Sequence, residues 1–127
     1  MAKCEKVFKG NEDVFNHYID FMQKSILDGS ATATLEDSSS LDVGEAKVRI
    51  DVFERYSFLG KSRVSLNITT VWSNDNINTI AITSGGSQAC FYKINTLGEK
   101  NFLTKFNESF DEFIKRFLTE DELINEQ

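Results

Sequence analysis

Apolar and polar positions change period along the chain. From Lys3 to Phe8 they alternate as in a short strand. From Glu12 to Leu27, Val14, Phe15, Tyr18, Phe21, Met22 and Ile26 recur at helical spacing, with Asn16, Asp20 and Lys24 on the polar side. Asn11 is placed to cap that helix, Glu12 and Asp13 complement its dipole, and Gly29 ends it. Ala31 to Leu35 reads as a strand, and the following "EDSSSLDVGE" as a polar loop.

The alternation then lengthens. Lys47 to Phe58 sets Val48, Ile50, Val52, Tyr56 and Phe58 on one side and Arg49, Asp51 and Arg55 on the other. After "LGKS", Arg63 to Trp72 repeats the pattern through Val64, Leu66, Ile68 and Trp72. "SNDN" makes the next turn, Ile77 to Thr83 forms a strand, and Gln88 to Ile94 forms another after the glycine pair. From Leu97 onward the period becomes helical, and Phe102, Leu103, Phe106, Phe110, Phe113, Ile114, Phe117 and Leu118 make one apolar stripe. The tail, 119–127, is expected to fray.

The elements predict an α+β fold: an antiparallel sheet of about six strands, in the order β-α-β-β-β-β-β-α, with two helices packed on one face. That order is similar to a helix-grip architecture, in which a sheet wraps a long terminal helix. With 127 residues, no proline and eleven phenylalanines, one domain with one aromatic core is expected over 1–127.

Composition narrows the function classes. A formal charge of −6, with Lys and Arg scattered among acids, argues against nucleic-acid binding. No stretch approaches the roughly 20 apolar residues of a membrane span, and the opening "MAKCEKVFKG" has no signal-like apolar run, so a cytoplasmic protein is expected. Cys4 and Cys90 then read as reduced thiols. His17, the one histidine, and two distant cysteines offer no metal-ligand spacing, so neither metal nor cofactor is expected.

Three features bear on chemistry. The "SGGSQ" glycines suggest an anion cradle, but that needs a helix after the glycines; with a strand predicted there, a tight hairpin or bulge is the better reading. Glu54 shares a face with Val52 and Tyr56. In an apolar cavity it would have a raised pKa and serve as general acid or base; at a bulge or beyond the helix cover it would be exposed. Arg49, Arg63 and Lys93 read as cations on a solvated sheet face.

The segments "MAKCEKVFKGN", "ATATLEDSS", "RIDVFERYSFLGKSRVSLNIT" and "AITSGGSQACFYKINTLGEKNFL" resemble an uncharacterised family of small bacterial proteins, a domain of unknown function. That resemblance implies a bacterial cytoplasmic setting and brings no catalytic residue.

The leading expectation is a non-catalytic domain that binds a small apolar or amphipathic ligand between sheet and terminal helix, lined by Glu54, Tyr56, Trp72, Ser84, Gln88 and Tyr92. The alternative is a homodimer or assembly module that uses an exposed sheet face through Phe53 and Val71. An enzyme that uses Glu54 without a cofactor is the third.

Overall fold

The computed structural model describes residues 1–57, 62–85 and 92–118, and not the side chains of Ser57 or of residues 92–101. The elements run β1 (Ala2–Lys9), α1 (Glu12–Asp28), β2 (Thr34–Val43), β3 (Ala46–Ser57), β4 (Ser62–Ser73), β5 (Asn76–Gly85) and α2 (Tyr92–Phe117). The strands form a five-stranded antiparallel sheet in the order β1-β5-β4-β3-β2. β4 is therefore the central strand.

Helix α1 follows its sequence pattern. The Asn11 side chain accepts from the Val14 amide at 2.9 Å, Gly29 caps the other end, and Phe15, Tyr18, Ile19, Met22 and Ile26 are buried. In α2 the stripe buries Phe102, Phe106, Phe110 and Phe113, while Phe117 stays about half exposed. The rings of Phe8 and Tyr18 lie 5.1 Å apart, and those of Tyr18 and Phe113 5.2 Å, so aromatic side chains from sheet and both helices interlock.

Three sequence expectations change. "EDSSSLDV" belongs to β2, not to a loop. Its serines and acids suit an edge strand that pairs only with β3 and whose burial pattern is almost wholly exposed. Next, the sheet has five strands where six are expected. The strand read from Gln88 to Ile94 falls partly on 86–91, outside the described residues, and from Tyr92 the chain is helical. Thr96 and Gly98, poor helix formers, hide that start in the sequence. "LGKS" lies largely outside the described residues and the tail 119–127 entirely so.

The third change is in β3, whose two faces are exchanged. Pairing places Asp51 opposite Ile68 and Phe53 opposite Leu66, and all four are buried toward the helices. Val48, Ile50 and Val52 therefore face away from them. β4, with Val64, Leu66 and Ile68 fully or nearly buried, dictates the register, because a one-residue slip would turn that whole set outward. Phe53 is 1% exposed, so it leaves the set of surface residues expected to meet a second copy. Arg49 and Arg55 also turn inward; the Arg55 guanidinium lies 4.5 Å over the Phe102 ring, and burial pushes its pKa down.

Candidate functional site

Each helix lies on the same side of the sheet, since the buried residues of β1, β4 and β5 alternate with exposed ones and face α1 and α2. The other face carries two aliphatic columns. On β3 these are Val48, Ile50 and Val52, and on β5 Ile80 and Ile82. Val71 extends the patch across β4, Leu41 and Val43 across β2, and Val7 across β1. Between the columns, Asn67 and Thr69 of β4 bond to each other, with the Thr69 hydroxyl donating to Asn67 Oδ1 at 2.9 Å. That bond partly satisfies the polar groups at the centre of the patch.

One end of this face is polar. Cross-strand register aligns Thr34, Glu54, Ser65 and Ser84 in a single row. Arg63 Nε donates to Glu54 Oε1 at 2.7 Å, its Nη2 donates to the Thr34 hydroxyl at 3.1 Å, and the Ser65 and Ser84 hydroxyls are 3.0 Å apart. Glu54 does share a face with Val52 and Tyr56, but that face is the uncovered one. Its side chain is 35% exposed and paired with Arg63, so it is not a carboxylate enclosed in an apolar cavity.

Of the six ligand-lining candidates, Glu54, Tyr56 and Ser84 lie on the uncovered face. Trp72 points to the opposite side, where its indole N–H donates to the Gly10 carbonyl at 3.0 Å. Tyr92 begins α2, and Gln88 lies outside the described residues. The structure therefore does not bring the set together. Of the glycine pair, Gly85 is the last residue of β5, opposite Val64, and Gly86 lies outside the described residues; α2 begins only at Tyr92, where a strand is expected. Ser87 and Gln88, beside that pair, are outside the described residues.

Sequence reasoning missed a buried polar cluster on the helix side. Asp51 Oδ1 accepts from Arg49 Nε at 2.9 Å, from the Ser38 hydroxyl at 2.6 Å and from Gln23 Nε2 at 3.3 Å, tying β3 to β2 and α1. Period-2 reading puts Asp51 on a solvated face; the signal against that is that its neighbour two positions on is Phe53. Beside this cluster, Phe15, Asn16, Ile19, Asp20, Ser40 and Arg49 line a surface cleft of about 200 Å3. Ligand sites commonly enclose about 300–1,000 Å3. Among the described residues no group of His, Cys, Asp and Glu is placed to hold a metal, and no helix is long and apolar enough to cross a membrane.

Fold and face together define an α+β protein with both helices on one side of an antiparallel sheet and an aliphatic patch on the other. The chain belongs to the family of unknown function DUF6054, whose model matches residues 1–114. No curated protein matches it. Among solved structures it is similar to the crystal structure of TTHA0849 from Thermus thermophilus, at 7% identity over 93% of this chain and 99% of that one, with a TM-score of 0.40. It is also similar to the solution structure of Chr148 from Cytophaga hutchinsonii, at 10% identity over 93% of this chain and 96% of that one, with a TM-score of 0.32.

Proposed function

We propose that this protein is a non-catalytic interaction module that docks through the uncovered face of its sheet. One observation carries the reading. Of the seven exposed large hydrophobic residues among those described, five lie on that face: Val7, Leu41, Val43 and Ile82, with Val48, Ile50, Val52, Val71 and Ile80 half-buried among them, and Tyr56 beyond the polar row. Scattered exposed aliphatics need no explanation, whereas a contiguous patch of this kind marks a contact surface. The helix-grip likeness belongs to the same reading, since a terminal helix laid on one side of a sheet leaves the other side bare.

The docking reading is favoured over an enclosed ligand. The space between sheet and helices where a ligand is expected holds Phe8, Tyr18, Phe110 and Phe113, with Phe8 and Phe110 rings 5.5 Å apart. The cleft beside Arg49 is small for a metabolite.

Hydroxyl-radical labelling tests the docking face. In a native extract of producing cells, Leu41, Val43, Tyr56 and Ile82 should label several-fold less than in the purified chain at high dilution, with exposed His17 of α1 as an unchanged control. Equal labelling of the face in both samples would remove the reading.

A further inference from the structure

We infer that the occupant of the uncovered face is a second copy of this chain, stacked sheet on sheet about a two-fold axis parallel to β4. This rests on the docking reading above and names its partner. Three observations point to self-pairing.

The first is the strand order. β4 lies at the centre of β1-β5-β4-β3-β2, so a two-fold axis along it exchanges β3 with β5 and β1 with β2 while preserving position along the strands. Register puts Val52, Asn67 and Ile82 in one cross-strand row, and Ile50, Thr69 and Ile80 in the next. The rotation therefore lays Val52 over Ile82 of the second copy and Ile50 over its Ile80. One aliphatic column meets the other. Aligned sheets cross at about 30°, which at a strand spacing of about 4.8 Å displaces these inner strands by roughly 2.4 Å, less than the rise of one residue.

The second is charge. On the uncovered face β1 carries Lys3 and Lys9 against Glu5, whereas β2 carries Asp37 and no base; Lys3 and Asp37 end the same cross-strand row as Ile82 and Val52, so the rotation brings Lys3 of one copy over Asp37 of the other. An axis along β4 sets the basic margin of each copy over the acidic margin of the other. An axis across the strands would set acidic over acidic and basic over basic, which is repulsive at short range. The charges thus choose between the two aligned ways in which one face can meet itself.

The third is area. Five strands about 4.8 Å apart, overlapping for about eight residues at roughly 3.4 Å each, present about 650 Å2 per copy. The total of about 1,300 Å2 exceeds the roughly 1,000 Å2 that a specific interface needs.

Sedimentation of the purified chain at micromolar concentration, with a matched Ile50→Lys variant, reads the partner directly. The expected result is twice the single-chain mass for the natural sequence and the single-chain mass for I50K, whose far-UV circular dichroism should be unchanged because Ile50 faces away from the helices. Thr69→Lys provides a second disruption on β4 should I50K fold poorly. Geometry is read by mixing. With Cys4 and Cys90 replaced by serine, V52C chains mixed with I82C chains should form an interchain disulfide on mild oxidation, while neither alone should do so. A natural chain that stays monomeric overturns self-pairing; protection of the face in cell extract would then leave the docking reading standing, and its absence would end both. A dimer that cross-links through V52C alone, or not at all in the mixture, overturns the axis along β4.

Discussion

The Tyr18 hydroxyl donates to Thr79 Oγ1 at 3.1 Å, and Thr79 lies 3.1 Å from the Thr70 hydroxyl. This polar file is buried inside the aromatic core and joins α1 to β5 and β4. Apolar packing alone lets a helix slide over a sheet, whereas a buried hydroxyl without a partner costs about 1–3 kcal/mol. The file therefore fixes where α1 sits.

Burial raises the Tyr18 pKa well above its ordinary value of 10.0, outweighing the opposing effect of the Thr79 hydrogen bond, and Cys4 adds to the rise. The folded chain then holds a proton that the unfolded chain releases above about pH 10. Stability from this group is complete below that pH and falls as pH rises, by at most about 1.4 kcal/mol per pH unit. Urea unfolding on both sides of pH 10 should show a steeper alkaline loss in the natural sequence than in Tyr18→Phe. Below that pH the variant should be about 1 kcal/mol less stable.

Asp51 gathers three donors on one oxygen, from Arg49, Ser38 and Gln23, and is 4% exposed. Asp51→Ala would strand those donors beside α1. The expected loss is about 2–3 kcal/mol, since hydrogen bonds to a charged group are worth about 1.5–3 kcal/mol and Arg49 retains some access to water. Asp51→Asn, which keeps an acceptor in place, should lose less. Equal stability of the alanine variant by denaturant titration would mean that the cluster is incidental.

The β4–β5 hairpin closes through Asn74 and Asp75, whose φ angles are 51° and 59°. Two successive left-handed residues define the tight turn that matches strand twist, and its preferred sequence is Asn-Gly. Asp75→Gly should therefore relieve strain of about 1 kcal/mol and raise the melting temperature. The same substitution in an unstrained turn would lower it slightly.

Much of this architecture is legible in the sequence because hydrophobic period and local chemistry agree. Asn11 and Gly29 bound α1 as read, the Phe-rich stripe of α2 packs inward, and β4 alternates as expected. β3 misleads because both of its faces carry large apolar residues. Val48, Ile50 and Val52 outnumber Phe53, and only pairing with β4 reveals that Phe53 is the buried one. β2 is hidden because an edge strand exposed on both faces needs no alternation at all. Glu54 is correctly grouped with Val52 and Tyr56, but which face is covered depends on helix placement that no local pattern encodes. The Asp51 cluster joins residues up to 28 positions apart and is likewise a product of tertiary structure.

β1 pairs only with β5, matching Ala2 to Thr83 and Lys9 to Asn76. During synthesis β1 must therefore wait for β5 before it finds its neighbour in the sheet, and the aromatic residues beneath both are sealed only when α2 emerges. No early fragment can bury the core by itself. Long-range closure of this kind slows folding, and it makes the nascent chain dependent on its final third.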